Sequence, residues 1–381
     1  MKKKQKKKGK WQQWLVLGVS ALVGAAFGFF LPGFLEPYLA EANSGFWLLP
    51  MLAVVVIAMY AGCFLHVVIH EAGHLVFGLR SGYGFSSFRI GNWMWLKEGD
   101  KIVRKKLSLA GTGGQCLMTP PELQNGKIPV VLYNLGGCIM NLIASAIFFA
   151  VYLLLPRSTI LSPVFVILSL VGVLLALTNG IPLRLGAVDN DGCNALSLRK
   201  NPEAMRAFWL QLKINEQTAR GTRLKDMPEE WFPIPADEAM KNSMVAAQGV
   251  FAANRLMDQQ RFDEADRLMA HLLELDSGMV GLHRNLVICD RMYCELIGEN
   301  RSDILDGMRT KEQIKFMKAM QKFPSVIRTE YTYALLGAQD QEKAAAVRKL
   351  FEKVAKTYPY ASDLQSEREL LAIADSRREE D

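Results

Sequence analysis

The sequence lacks the residue patterns that stabilise a disulfide-bonded domain. Its 381 residues include only six cysteines, with no CxxC pair and no dense spacing, so we expect reduced thiols and no disulfide framework. Histidine is scarcer still. Of the five histidines, His66, His70 and His74 fall within a single apolar stretch, "LHVVIHEAGHLVFGL". Ionisable side chains are costly in such surroundings and usually have a function there.

Charge is balanced outside the first ten residues. Seven lysines in residues 1–10 account for the net charge of +7 and leave 38 basic against 38 acidic residues elsewhere. An apolar run follows this basic tail at once, which indicates a topology signal in contact with anionic lipid. No aromatic–basic platform accompanies the tail, so we expect no nucleic-acid partner.

Four apolar stretches are long enough to cross a bilayer, which takes about 20 residues. They cover residues 11–31, 47–79, 128–155 and 160–182. An A-x-A-like site at Ala40–Ala42 would suit a signal peptide. The first stretch is long for such a peptide and its cleavage region is drawn out, which favours an uncleaved anchor.

The segments between these stretches indicate the orientation. Residues 32–46 have two acidic and no basic residues, whereas residues 80–127 have eight basic and three acidic ones. By the positive-inside rule, the 80–127 loop and both termini face the cytoplasm. We therefore predict a multi-pass protein of the cell membrane with four spans.

The 80–127 loop alternates between apolar and polar residues on either side of Glu98-Gly99-Asp100, which predicts a small cytosolic β-hairpin at the membrane surface. Trp93 and Trp95 suit such an interface. The less regular residues 110–123 are expected to form either a substrate-facing loop or a plain connector.

From about residue 197 the pattern is helical and soluble. Two amphipathic helices separated near 259–262 resemble a tetratricopeptide unit with Ala265 at the close-packing position, although an ordinary helical bundle fits equally well. The predicted fold is mainly α: a polytopic membrane helical bundle with a β-hairpin region and a C-terminal helical domain. The expected boundaries are 1–10 for the basic tail, 11–195 for the membrane domain and 196–381 for the cytosolic domain.

His70-Glu71-Ala72-Gly73-His74 is the motif with the clearest chemistry. Histidines four apart on a helix point the same way and can share one Zn²⁺, with the glutamate beside it as general base. His66 lies about 12 Å of helix rise from His74, too far for both to bind one ion. We expect His66 either to support a ligand from behind or to be a core histidine.

A third ligand must come from elsewhere in the chain. Asp189 and Asp191 follow the fourth apolar stretch in "LTNGIPLRLGAVDNDGCNAL", at the same expected depth as His70. Both remain candidates at this point, because an Asp-Asn-Asp-Gly segment also suits a turn that caps a helix.

Three motifs in this order resemble the site-2 protease family of intramembrane zinc metalloproteases. HExxH lies in the second stretch. "GGCIMN" resembles the family's G-P-x-x-N signature, with Gly137 and Asn141 matching and Cys138 in place of proline. "NGIP…DNDG" resembles N-x-x-P…D-G through Asn179, Pro182, Asp191 and Gly192, with a longer gap before the aspartate. The resemblance covers about residues 47–195.

The resemblance implies three membrane helices around one zinc ion per chain. His70, His74 and Asp191 would be the ligands and Glu71 the catalytic base, while Asn141 would bind the substrate backbone or the oxyanion. The implied substrate is a membrane-associated protein or a hydrophobic precursor peptide, cleaved near the cytoplasmic face. A protein partner of the C-terminal domain is a further candidate.

Two other functions would also suit a polytopic membrane protein of this kind. A non-catalytic membrane scaffold would keep the fold and bind partners through the helical domain, but the intact Glu71 argues against it. A metal transporter would place polar residues along several spans, and the first stretch carries no charged residue.

Overall fold

The computed structural model describes residues 48–109, 112–156, 161–182 and 189–380, with isolated positions elsewhere. The predicted tail and first span lie outside the described residues. The described chain is mainly helical with one small antiparallel sheet. It divides into two compact units. The first unit holds the described residues up to Ser81 together with Pro129–Arg199, and the second holds Gly82–Ile128 together with Lys200–Asp381.

The first unit is built from three long apolar helices and one short helix. Their bounds are Leu48–Arg80 (α1), Val130–Leu154 (α2), Leu161–Gly180 (α3) and Asp191–Lys200 (α4). Each long helix contacts the other two. All three are long and apolar enough to cross a membrane, which confirms the last three of the four predicted stretches.

The outer faces of these helices are apolar. Tyr60 and Phe64 on α1, and Leu153 and Leu154 on α2, leave most of their surface exposed. Contiguous exposed apolar surface marks a membrane or partner contact. The long helices of the first unit thus bury polar side chains such as His66 and Asn141 and expose apolar ones, as expected of helices in a bilayer.

Helices α1 and α2 cross in direct backbone contact. A Cβ placed on Gly73 would lie 2.3 Å from the carbonyl oxygen of Gly136, and one on Gly136 would lie 2.6 Å from the carbonyl oxygen of Gly73. Small residues at a helix crossing let the backbones approach in this way. The crossing brings the HExxH segment against the start of the "GGCIMN" motif.

Gly73→Ala is expected to destabilise the first unit by about 1–3 kcal/mol, because the added methyl meets backbone that cannot move aside. Thermal unfolding of purified protein in detergent checks this. Gly62→Ala on the same helix is the control, since its Cβ would meet only side chains: the end of Leu168 at 3.1 Å, and Val171 at an ordinary 3.7 Å. Equal melting temperatures for the two variants would contradict the close crossing.

The second unit contains a four-stranded antiparallel sheet in the order β3-β2-β1-β4. Its strands are Gly84–Ile90 (β1), Trp93–Glu98 (β2), Lys101–Lys106 (β3) and Gly114–Thr119 (β4). The predicted turn between β2 and β3 is present. Residues 114–119, expected to be irregular, instead pair with β1, so that expectation is wrong for this segment.

The helices of the second unit include the two amphipathic helices predicted around 259–262. The α-helices run over Pro202–Ala219 (α5), Ser243–Asp258 (α6), Phe262–Glu274 (α7), Gly281–Ile297 (α8), Ser302–Met308 (α9), Lys311–Ala319 (α10), Pro324–Thr332 (α11), Gln341–Ala355 (α12) and Ala361–Glu380 (α13). Ala265 is fully buried on α7, which packs against α6 and α8. A tetratricopeptide repeat is not confirmed, since this single helical pair does not establish one.

The sheet packs within the second unit against α5. The indole nitrogen of Trp209 donates to the carbonyl oxygen of Pro121 at 2.9 Å, and Lys213 pairs with Glu122 at 2.8 Å. The backbone N–H of Lys106 donates to the carbonyl oxygen of Thr357 at 2.8 Å. The sheet thus shares its packing with the helices that follow residue 200.

Candidate metal centre

The two histidines of HExxH point to one place inside the first unit. His70 and His74 are one helical turn apart on α1 and both are buried. Their Nε2 atoms lie 3.2 Å apart. Nδ1 of His74 lies 2.8 Å from the carbonyl oxygen of Tyr133, which can only accept a hydrogen bond. His74 therefore carries its proton on Nδ1, and the Nε2 lone pair is free to bind a metal.

Asp191 completes a group of three. Its Oδ2 atom lies 2.9 Å from Nε2 of His70 and 3.5 Å from Nε2 of His74. The candidate ligand atoms of these residues all lie within 4.8 Å of one another. The structure therefore brings together the three residues that the resemblance implied as ligands.

The start of α4 is fixed against the end of α3. The side-chain amide of Asn190 donates to the carbonyl oxygens of Thr178, at 2.8 Å, and Ile181, at 2.6 Å. A Cβ on Gly192 would lie 2.1 Å from the carbonyl oxygen of Gly180, so only glycine fits there. These contacts set the position of Asp191 between them.

A helix cap was expected at this turn and is present. Oδ1 of Asn190 accepts a hydrogen bond from the backbone N–H of Cys193 at 3.0 Å. Asp189 precedes this cap and is not part of the three-residue group.

The geometry fits a zinc ion. Ligand atoms about 2.0–2.1 Å from a tetrahedral zinc lie about 3.3 Å from each other. The observed separations of 2.9, 3.2 and 3.5 Å bracket that value. Unprotonated Nε2 atoms of the two histidines and Oδ2 of Asp191 are all hydrogen-bond acceptors. Acceptors this close together repel unless a cation or additional protons lie among them. Two imidazoles and a carboxylate are also a donor set that zinc prefers.

Glu71 and Asn141 also lie in the first unit. Glu71 follows His70 on α1 and is buried. Asn141 on α2 is fully buried, and its carboxamide lies within 3.3 Å of Nδ1 of His70. Both residues are thus close in sequence or space to the candidate ligands, and the roles assigned to them remain predictions.

The comparison with protein-family models matches residues 58–360 to peptidase family M50. The match spans most of the chain and includes HExxH, Asn141 and Asp191. The chain belongs to peptidase family M50. The resemblance to site-2 proteases is thereby confirmed, since M50 is that family of membrane metalloproteases. No curated protein and no solved structure gave a match.

One departure from the M50 signature has a structural explanation. Cys138 stands where the signature has proline, and it is buried on α2. A Cβ on Gly180, at the end of α3, would lie 3.5 Å from the Cys138 sulfur, an ordinary contact. The small thiol therefore packs α2 against the end of α3, beside the segment that leads to Asp191.

Two residues that support the M50 site were not found from the sequence. Tyr133 acts through its backbone carbonyl, which no side-chain pattern can show. Asn190 lies between the two candidate aspartates. The N-cap preference for asparagine could have identified it, but the carboxylates on either side were the more prominent candidates.

Proposed function

We propose that this chain is an intramembrane zinc endopeptidase. It hydrolyses peptide bonds in a membrane-associated protein or a hydrophobic precursor peptide, near the cytoplasmic face of the membrane. The observation that carries the proposal is the convergence of His70, His74 and Asp191 beside the buried Glu71. Membership of peptidase family M50 supports the same reaction class.

Each residue has a role that follows from its position. His70, His74 and Asp191 would hold one Zn²⁺ per chain, which leaves a fourth position open for chemistry. When bound, zinc supplies Lewis acidity for the activation of water and of the scissile carbonyl. Glu71 accepts a proton from the attacking water and returns it to the departing amine. Asn141 can donate a hydrogen bond where negative charge develops.

The site must admit water and substrate from one side. We propose that this is the cytoplasmic side, because the basic segments 1–10 and 80–127 favour that orientation of the spans. Both termini are then cytoplasmic. We also propose that the second unit, which has its own folded core, binds a protein partner or part of the substrate.

The test is cleavage by purified protein in lipid vesicles. A panel of hydrophobic precursor peptides and single-span peptides is incubated with the protein, and the products are identified by mass spectrometry. We expect cleavage of at least one peptide that stops when a zinc chelator is added and returns with added zinc. A protein that is loaded with zinc and cleaves none of the panel, while still binding a peptide, would favour the non-catalytic scaffold.

A further inference from the structure

A polar chain of side chains lies behind the candidate metal site. His66 is fully buried one turn before His70 on α1, and Asn141 is fully buried on α2. The Asn141 carboxamide bridges the two imidazoles. Its Oδ1 lies 3.2 Å from Nδ1 of His66, and its Nδ2 lies 3.3 Å from Nδ1 of His70. Nε2 of His66 lies 2.9 Å from the carbonyl oxygen of Leu168 on α3.

The carbonyl group of Leu168, at one end of this hydrogen-bonded series, determines which ring nitrogen of each histidine carries a proton. Leu168 offers only an acceptor, so Nε2 of His66 must carry a proton. A neutral His66 then has a bare Nδ1, which needs a donor, so the hydrogen bonds favour a carboxamide rotated by 180°, with its NH₂ group toward His66. In the rotated carboxamide the oxygen faces His70 and accepts a hydrogen bond from its Nδ1–H. This leaves the Nε2 atom of His70 unprotonated, as a metal ligand must be.

The opposite arrangement is much less stable. With the carboxamide oxygen kept toward His66, that ring would have to carry protons on both nitrogens. A fully buried imidazolium costs far more than the neutral form when, as among the described residues, no carboxylate pairs with it. The neutral arrangement satisfies both imidazoles and the carboxamide between them.

The structure keeps space for His66 at this position. A Cβ on Gly172 of α3 would lie 2.1 Å from Cε1 of His66 and 2.2 Å from the hydroxyl oxygen of Ser145. The ring also makes an edge-on contact with Phe148, with ring centroids 5.6 Å apart.

We propose that His66 and Asn141 form a relay that fixes His70 in the tautomer and orientation required to bind zinc. His66 is a positioning residue, acting through Asn141. The carbonyl oxygen of Tyr133 fixes the tautomer and orientation of His74 directly. Partners of this kind behind a ligand typically contribute about 10- to 100-fold to metal affinity. The inference rests on the proposed zinc site and adds His66 to it. It gives Asn141 a positioning role in place of the oxyanion role proposed above, because its NH₂ group then faces His66.

The test measures the zinc dissociation constant by competition with a chromophoric chelator, in full-length protein in detergent. His66→Phe keeps a ring but removes both nitrogens, and Asn141→Leu removes the bridge. We expect each to weaken zinc binding by about 10- to 100-fold. His66→Asn retains an acceptor for Asn141 and is expected to recover part of the loss. His271→Phe in the second unit is the control and should bind zinc as the wild type does.

A second measurement does not depend on how the variants fold. With five histidines in the chain, ¹⁵N-histidine spectra of the zinc-free wild type can assign the protonated nitrogen of each ring. We expect the proton of His70 on Nδ1 and that of His66 on Nε2. The reverse assignment, or unchanged zinc affinity in folded His66→Phe protein, would overturn the relay. Loss of zinc binding by the wild type itself would instead contradict the proposed function.

The same data separate the relay from the oxyanion role of Asn141. If Asn141 acted only on the substrate, Asn141→Leu would lower turnover at saturating zinc and leave the zinc dissociation constant unchanged. That outcome would also overturn the proposal.

Discussion

Purified Glu71→Gln protein is expected to hold one zinc ion per chain and to lose nearly all cleavage. Glutamine keeps the size and burial of the side chain but cannot take up the proton of the attacking water. General-base catalysis typically contributes about 10²- to 10⁴-fold, so the rate should fall by at least that much. Zinc content by mass spectrometry and turnover on a cleaved peptide, measured on the same sample, check both halves of the prediction.

The control for this variant is Glu203→Gln. Glu203 is exposed in the first turn of α5, in the second unit. It should keep both zinc and full activity. If Glu71→Gln lost its zinc, Glu71 would be a ligand or a structural partner of one, and its assignment as the base would be wrong.

Asp191→Ala is expected to empty the metal site. Its carboxylate is the one charged ligand of the proposed set and offsets part of the zinc charge, and two imidazoles alone rarely hold the ion. Loss of a group behind a ligand costs about 10- to 100-fold in affinity, so the loss of a ligand should exceed 100-fold. Activity should disappear with the metal. Zinc titration of the purified variant measures the effect.

Asp189→Ala is the matched control, two residues away on the same turn. Asp189 lies outside the group of converging ligand atoms, and Asn190 supplies the contacts to α3 that fix the turn. We expect this variant to keep its zinc and most of its activity. If Asp189→Ala emptied the site while Asp191→Ala did not, the third ligand would have been assigned to the wrong aspartate.

The membrane helices could be predicted because their signal is local. A run of about 20 apolar residues is sufficient to indicate a span. The same argument holds for the candidate ligands on α1, since a four-residue spacing on a helix determines that His70 and His74 face the same way. Five consecutive residues, from His70 to His74, are therefore sufficient to predict this half of the site.

The four-stranded sheet could be predicted only in part. The hairpin of β2 and β3 has clear alternation and a glycine turn, and Gly99 adopts a positive φ of 59°. Strand β4 follows a glycine-rich segment whose composition suggests a loop. Its pairing with β1 depends on residues 24 or more positions earlier, and such distant contacts leave little trace in a local pattern.

The residues behind the metal ligands could not be predicted from the sequence for a similar reason. His66 and Asn141 are 75 residues apart, and the carbonyl group of Leu168 lies on a third helix. Helix geometry could exclude His66 as a ligand of the same ion as His74 but could not say what it contacts. Which residues stand behind a ligand depends on how α1, α2 and α3 cross, and Gly73, Gly136 and Gly172 determine that packing.

X-ray absorption at the zinc edge of the purified wild-type protein tests the central claim most directly. The account predicts one zinc per chain with two imidazole nitrogens and oxygen ligands at about 2.0–2.2 Å, and no sulfur. A sulfur neighbour near 2.3 Å would contradict it, since it would assign the metal to a cysteine such as Cys138 or Cys193. Protein that holds no zinc would contradict it as well.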